Sequence, residues 1–466
     1  MLISSVDNLN DIALIESSGQ RTTYLELNQH ISDFSTFFTD RHLIFIIGEN
    51  NFATIVCYLS AIESRVVPLL LSSKISQTQL INLIEIYQPK YIFQEISKST
   101  NDLSMLSSLE SYGLFLRHNF KSFNIHPDLA LLLATSGSTG SPKLVRLSKK
   151  NIISNAKSIS KFLEITSSDR AITSLPYNYS YGLSVINSHL ISGGSIVLTN
   201  SSMMEGEFWR LISKHSVTSF AGVPYNYEMI LKLGVERLKI SSINKMTQAG
   251  GRLDFKKIKK INNVLKSKNI KFYSMYGQTE ATARISYLPP EDIYLKPGSI
   301  GKAIPNGRIW LEDVNGNIIE EIDSIGELIY SGDNVSLGYA ESIKDLELGD
   351  DNLGILKTGD LAKIDNDGYF FIEGSNNRFI KIFGNRISLD SLEIIISKKG
   401  YEAIVSGDDN FIKIYIINKK KLNIKLLSKE ISETIGINCS AIKINVISKF
   451  PRLGNGKIDY KFLNNH

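Results

Sequence analysis

Hydrophobic positions fall into two alternating textures. Short apolar runs rich in valine, isoleucine and phenylalanine read as buried strands: LIFIIG (Leu43 to Gly48), YIF at Tyr91, GSIVLT at Gly194 and KFYSMYG at Lys271. Each adjoins a longer amphipathic stretch, and FATIVCYLSAIES after the first reads as a helix. Strands alternating with helices predict mostly parallel sheets covered on both faces. After about Gly298 the texture changes. RIWLEDVNGNIIEEIDSIGELIYSG and GILKTGDLAKIDNDGYFFIEG set Asn-Gly and Asp-Gly turns between short strands, the mark of antiparallel hairpins. The stretch from Arg378 onward mixes strands and helices and is roughly the size of a small independent α+β domain. The predicted architecture is therefore α/β: a large body over residues 1–376, with helix-covered sheets and a small antiparallel barrel-like part. A small C-terminal α+β domain covers 378–466, with a hinge near Asn377 in the polar junction GSNNR.

Composition narrows the function classes. With 466 residues, 42% of them hydrophobic, the chain is long enough for more than one core. A net charge of +5 spread along the chain argues against a nucleic-acid stripe or a polybasic membrane anchor. Two cysteines, Cys57 and Cys439, are too few for a disulfide framework; both read as buried apolar residues in a reducing compartment. The N-terminus lacks the pattern of a signal peptide. The most apolar stretch, Ile55 to Leu71, carries Glu63 and Arg65 and so does not read as a membrane span. A cytoplasmic protein without nucleic-acid or membrane partners is the expectation; oligomeric state is not legible.

The segment ATSGSTGSPKLV (Ala134 to Val145) follows the strand-like LALLLAT. Glycine, serine and threonine in such a loop can turn several N–H groups and hydroxyls toward one anion. Gly137 and Gly140 permit close backbone approach, and Lys143 adds a mobile positive charge. The Walker A spacing is missing. Alone, the segment is equally an anion loop or a surface turn.

Further motifs follow in order: MYGQTEAT (Met275 to Thr282), GELIYSGDNVSLGY (Gly326 to Tyr339), KTGDLAKIDNDGYFFIEG from Lys357, RFIKIFGNRISLDSLE from Arg378 and PRLGNGKID from Pro451. This series resembles the adenylate-forming enzymes: acyl-CoA synthetases, peptide-synthetase adenylation domains and firefly-type luciferases. The resemblance covers nearly the whole chain, and IESSGQRTTYLEL is similar to the family's opening Thr-Tyr-x-x-Leu.

The resemblance implies ATP and Mg²⁺ as cofactors. Thr135, Ser136, Gly137, Ser138, Thr139, Gly140 and Lys143 match the loop over the β- and γ-phosphates, where donors stabilise the leaving pyrophosphate. Tyr276 matches the aromatic that stacks on adenine, with Gly277 beside it in the same motif; Thr279 matches the α-phosphate contact and Glu280 the Mg²⁺ ligand. Gly250 and Gly251, in QAGGRL, are similar to a segment flanking adenine and the acyl pocket, although a plain tight turn explains them as well. Asp360 matches the carboxylate that accepts both ribose hydroxyls, against the alternative of a hairpin aspartate. Lys457 matches a mobile-loop lysine that reaches the reacting atoms, catalytic together with Glu280 and Thr135. Lys381, Gly384 and Arg386 lie where pantetheine passes in the family, though ordinary strand and turn roles explain them nearly as well.

Two departures stand out. Ser375 occupies the family's ribose arginine position, and Arg378, three residues on, is a candidate substitute. Tyr179 occupies the usual histidine position in LPYNYSYG. Ser180 falls where amino-acid-activating relatives place an aspartate, which argues against an ordinary α-amino acid. Val223, Pro224 and Tyr225, with Tyr227, are expected to wall the acyl pocket, suiting an aryl or short-to-medium acyl carboxylate. The implied reaction is acid activation to acyl-AMP, then transfer to CoA or to the phosphopantetheine of a separate acyl carrier protein. The rivals are a stand-alone amino-acid adenylation protein that loads a carrier, and a degenerate nucleotide-binding member without catalysis.

Overall fold

The computed structural model describes the chain apart from residues 1, 2, 4, 5, 135–142, 239, 376, 377, 383, 384, 409, 418–421, 436, 455 and 466. It separates into two compact units. One comprises 1–297, 301–308 and 330–356; the other comprises 298–300, 309–329 and 357–466.

The first unit is built on two large sheets. The strand Leu43–Gly48 is buried along its whole length and pairs in parallel with Val67–Ser72 and Tyr91–Glu95. These occupy the middle of an eight-stranded sheet that ends, on one side, with Leu129–Ala134, Leu144–Ser148 and Gly338–Ala340. The last two steps are antiparallel, with Tyr339 opposite Val145 and Ala340 opposite Leu144. The nine-stranded second sheet runs Ser219–Gly222, Lys245–Gln248 and Lys271–Tyr276 in parallel before an antiparallel return, Ser286–Leu288.

The helix Phe52–Glu63 is apolar on every side, and all but its last residue is buried. A helix of that kind has to lie inside a core. It does so here: one apolar cluster joins Ile55, Val56 and Leu59 to Ile44, Ile46 and Leu70 of the eight-stranded sheet and to Leu14, Ala171 and Ile196 of the nine-stranded one. Its first turn is closed by Asn51, whose Oδ1 accepts from the Thr54 amide at 2.8 Å. Cys57 belongs to this core, whereas Cys439 is exposed, contrary to expectation. It opens a single 3₁₀ turn, Cys439–Ala441, of which only Ala441 is buried.

Arg308–Glu312, Gly326–Ser331, Ile355–Ile364 and Phe370–Ser375, most of whose residues fall in the second unit, form a four-stranded sheet. The sheet is open, with Arg308–Glu312 and Phe370–Ser375 at its two edges, and does not close into the expected barrel-like part. Residues from 378 onward form the α+β part. A hairpin, Phe379–Ile382 with Asn385–Ser388, precedes a three-stranded sheet of Glu402–Gly407, Ile412–Ile417 and Ile442–Ile447. Helices Leu389–Lys398 and Ile424–Ile435 share its apolar cluster through Leu392, Ile396, Leu427 and Ile431. Among the described residues no helix is long and apolar enough to cross a membrane.

One buried histidine makes the first unit sensitive to acid. The Nδ1–H of His189 donates to the Val185 carbonyl at 2.9 Å, and Nε2 accepts from the Ser219 hydroxyl at 2.8 Å. Burial pulls its pKa down to about 4, so the folded state holds the ring neutral. Between the unfolded value near 6.5 and that folded value, the unfolded chain binds a proton that the native chain refuses. The contribution is therefore fully present above about pH 6.5 and is lost as pH falls toward 4, by about 3 kcal/mol in total. Urea titrations across this window are expected to show a fall in stability that His189→Gln flattens. An unchanged slope in the variant would reject the assignment.

Candidate active site

Two loops and one strand of the first unit bring the predicted residues together. The strand Lys271–Tyr276 delivers the YGQTE segment at its end, and the 3₁₀ turn Thr279–Ala281 turns the chain back. That return is tight. A Cβ on Gly277 would lie 2.0 Å from the Ala283 carbonyl oxygen, so the motif's glycine is required by the backbone crossing it. Beside it, the Gln278 amide donates to the Tyr276 hydroxyl at 3.3 Å.

The turn is held by residues whose roles no sequence motif assigned. Thr282 sits in the left-handed region at φ 62°, an uncommon conformation for a β-branched residue. Its hydroxyl donates to the Asn334 carbonyl at 2.7 Å. Asn334 Nδ2 donates to the carbonyls of Ala281 and Arg284, both at 2.8 Å, and Oδ1 accepts from the Tyr330 hydroxyl at 2.7 Å. The Ser336 amide donates to the Glu280 carbonyl at 2.8 Å, which adds a further tie between the turn and this segment. The 333–340 segment is in turn anchored to the strand Leu144–Ser148 and the helix that follows it. Asn151 Nδ2 donates to the Asp333 and Val335 carbonyls at 2.8 and 2.6 Å. The fully buried Arg146 donates to the carbonyls of Leu337 and Tyr339, both at 2.9 Å, and pairs with Asp351.

Tyr339, on that segment, joins two of the predicted groups. Its hydroxyl donates to Glu280 Oε1 at 2.9 Å, and the Lys143 ammonium lies 3.8 Å from its ring centroid. Lys143 also stands 3.8 Å from Glu341. Burial, and after it the neighbouring Glu280 charge, raises the Tyr339 pKa, so the phenol stays a donor. Glu280 offers oxygen donors beside the Thr279 hydroxyl, a set suited to a hard cation. Glu280 would supply the carboxylate to a Mg²⁺ ion; among the described residues no three His, Cys, Asp or Glu side chains converge. Thr135, Ser136, Gly137, Ser138, Thr139 and Gly140 lie outside the described residues.

The acyl-side residues gather around Gly250. At φ 80° it occupies the left-handed region, and a Cβ there would lie 2.4 Å from the Tyr179 hydroxyl and 3.2 Å from Val223. A Cβ on Gly251 would lie 3.3 Å from Pro224. Val223 caps the helix Pro224–Leu233, with its amide bound by Asn226 Oδ1 at 2.9 Å; Tyr225 on the first turn is half-buried. Ser180 opens the helix Ser180–Ile191, and its hydroxyl lies 3.1 Å from that of Thr279. Burial pushes the Tyr179 phenol up to about 12, with the Arg284 charge pulling the other way.

The remaining predicted residues belong to the second unit. Asp360 faces Ser375 in register on neighbouring strands, and the Ser375 hydroxyl donates to the Gly359 carbonyl at 3.2 Å. The serine at the family's arginine position is thus the cross-strand neighbour of the ribose candidate. Arg378 is bound by Asp390 and by Glu393 at 2.8 Å, donates to the Val405 carbonyl and stacks 4.1 Å above the Tyr460 ring. Its guanidinium packs within the α+β part that begins at residue 378, where a ribose contact would compete with both carboxylates. Lys457 sits on a tight loop closed by the Leu453 amide donating to the Lys457 carbonyl at 2.8 Å, with Gly456 at φ 82°. Lys381 and Arg386 are register partners in the hairpin backbone, while Gly384 and Asn377 lie outside the described residues.

A family model described as AMP-binding enzyme matches residues 5–340. Bacitracin synthase 2 of Bacillus licheniformis is 28% identical over 392 residues, 80% of this chain but only 15% of that protein. Luciferin 4-monooxygenase of Photuris pensylvanica is 24% identical over 469 residues, 90% of this chain and 84% of it. Peroxisomal OPC-8:0-CoA ligase 1 of Arabidopsis thaliana is 25% identical over 501 residues, 98% of this chain and 90% of it. Among solved structures, the o-succinylbenzoate CoA synthetase MenE of Bacillus subtilis with the acyl-adenylate intermediate OSB-AMP has a TM-score of 0.76 at 22% identity, covering 97% of this chain and 95% of that one. ATP-bound MatB of Rhodopseudomonas palustris has a TM-score of 0.81 at 20% identity, covering 100% and 97%. At these identities the structures establish the fold.

Asn334→Ala removes two donors from buried carbonyls and one acceptor from Tyr330. A loss of about 3 kcal/mol is expected in urea unfolding. A loss below about 0.5 kcal/mol, within the range of neutral surface changes, would show that the turn holds itself.

Proposed function

The chain belongs to the AMP-binding enzyme family, and from that premise we propose that it is an AMP-forming acid–thiol ligase. The observation that carries the reading is the joining of Lys143 and Glu280 through Tyr339, beside Thr279, Ser180 and the contact of Tyr179 with Gly250. A positive charge, a hard-cation carboxylate and an acyl-side wall then border one another in a single unit.

In the proposed first step a carboxylate oxygen attacks the α-phosphorus of ATP. The bond from that phosphorus to the bridging oxygen breaks, and pyrophosphate leaves. Lys143 offsets charge on the departing phosphates, and Thr279 donates toward the α-phosphate. Glu280 would hold Mg²⁺, which neutralises phosphate charge when bound. Tyr339 fixes one carboxylate oxygen of Glu280 and leaves the other available. Tyr276 offers an aromatic face to adenine, and Asp360 accepts from the ribose hydroxyls. Lys457 acts from the 378–466 domain, which we take to turn about a hinge near Asn377. Its ammonium is a movable charge for the pentavalent phosphorus. In the second step a thiol sulfur attacks the acyl carbon, AMP leaves with the bonding pair, and the thiol proton is released to solvent. The acceptor is CoA or the phosphopantetheine of a carrier protein. We place the reaction in the cytoplasm; one relative bears a peroxisomal name.

Ser180 favours an acyl substrate over an α-amino acid, since no carboxylate stands there to pair an ammonium.

The test is pyrophosphate release from MgATP across fatty, aryl, hydroxy, dicarboxylic and amino acids, with and without CoA. Acid-dependent release is expected, falling at least ~100-fold in Lys457→Ala, in line with the loss of one charge-stabilising group at a reacting centre. Stimulation by CoA would identify it as acceptor. ATP binding without release for any acid would overturn the reading in favour of a non-catalytic nucleotide binder.

A further inference from the structure

Arg284 differs from Arg146 and Lys245, the buried cations of the first unit that pair with carboxylates; Arg117, 8% exposed, donates instead to the Pro89 carbonyl. Arg146 is paired with Asp351, and Lys245 with Asp169 at 3.0 Å. Arg284 is only 3% exposed, yet among the described residues no carboxylate lies within ion-pair distance of it. Its guanidinium is met instead by the Tyr181 ring, with Cζ 4.0 Å from the centroid. Nη1 donates to the Ala283 carbonyl at 3.0 Å, and Nε lies 3.4 Å from the Met275 sulfur. Neither contact supplies negative charge. Burial pulls its pKa down, and only the phenols of Tyr181 and Tyr179 oppose that.

Its position ties it to the acyl side. The backbone crossing at Gly277 brings the Arg284 Cα within 2.8 Å of where a Cβ would stand on the YGQTE glycine. Tyr181, which carries the guanidinium, makes an edge contact with Tyr179 at 6.3 Å, and Tyr179 meets Gly250. The Arg284 carbonyl is fixed by Asn334, so the cation is carried on a held backbone. The aromatic wall on this side is itself anchored: the hydroxyls of Tyr181 and Tyr227 both donate to the Thr247 carbonyl, at 2.9 and 2.8 Å.

A buried cation that lacks a protein counter-charge is costly unless an anion completes it. We propose that Arg284 is a specificity-determining residue, which binds a second anionic group of the substrate. The acid activated is then a dicarboxylate: one carboxylate attacks phosphorus while the other pairs with the guanidinium. This rests on the proposed ligase reading and narrows it. A bidentate guanidinium–carboxylate pair shielded from water is strong and directional. The tyrosines around it fill the remaining wall.

The experiment compares homologous α,ω-dicarboxylates and an aryl dicarboxylate with their half-amides, which match in shape but carry one charge. Two readouts are taken on wild type, Arg284→Gln and Arg284→Lys: kcat/KM from pyrophosphate release, and the thermal shift that each acid produces in the intact chain. In wild type the best diacid is expected to exceed its half-amide by about 100-fold in kcat/KM. Arg284→Gln should collapse that ratio toward one, and Arg284→Lys should keep part of it. Equal use of diacid and half-amide by wild type overturns the inference and leaves the ligase reading standing, even if the glutamine variant does not fold. A diacid-specific thermal shift in wild type that Arg284→Gln abolishes, without pyrophosphate release from any acid, supports the guanidinium–carboxylate contact but overturns the ligase reading and with it the activation of a diacid. Neither release nor shift with any diacid overturns the inference as well.

Discussion

The short segment 333–340 determines where the candidate site's charged groups stand. On one side Arg146, buried beneath it, binds the Leu337 and Tyr339 carbonyls and so locks it, as the edge strand, along Leu144–Ser148. On the other side Asn334 and Ser336 hold the turn that carries Glu280 and Arg284. Lys143 immediately precedes the first of these neighbours, Glu280 sits in the second, and Tyr339 touches both. Two elements from different sheets are thereby registered to each other by a handful of hydrogen bonds to backbone carbonyls. Such bonds matter mostly through the penalty for leaving a buried carbonyl unmet.

The surrounding core explains why this registration is rigid. The apolar helix Phe52–Glu63 shares one cluster with both sheets, and buried charges near them are met by several partners at once. Asp169, for example, accepts from Lys245 at 3.0 Å and from the Thr166 amide and the Thr218 hydroxyl, each at 2.9 Å. Against that background Arg284 is conspicuous. Its closest partners are an aromatic face, a thioether and a carbonyl, which bind a cation without neutralising it.

Much of this was legible in the chain. The strands at Leu43 and Lys271 and the helix Phe52–Glu63 follow from apolar period and length alone. The ordered motifs carried the family, now shown by the match over residues 5–340. Gly250 was ambiguous in sequence, because a tight turn and a close approach both call for glycine; the structure has both, a left-handed φ and Tyr179 against it. Other features were hidden because they depend on long-range pairing. Tyr339 and Asn334 sat in a quoted motif, yet their roles arise only when that segment meets Ala281 and Glu280, far earlier in the chain. Arg284 carried one local signal, a charge shortly past Thr279 among small and apolar neighbours, whereas its surroundings are visible only in three dimensions. The partners of Arg378 were hidden for the same reason: its nearness in sequence to Ser375 says nothing of Asp390 and Glu393, which hold it.

Tyr339 couples the phosphate-side lysine to the cation-side carboxylate, and one substitution isolates that coupling. Tyr339→Phe keeps the ring beneath Lys143 and removes only the hydroxyl bonded to Glu280. The measurement is the Mg²⁺ concentration for half-maximal pyrophosphate release, beside urea unfolding of the same protein. A rise of about tenfold or more in that concentration is predicted, on the order of 1.5–3 kcal/mol for one hydrogen bond to a charged group, with stability nearly unchanged. An unaltered Mg²⁺ dependence would contradict the coupling.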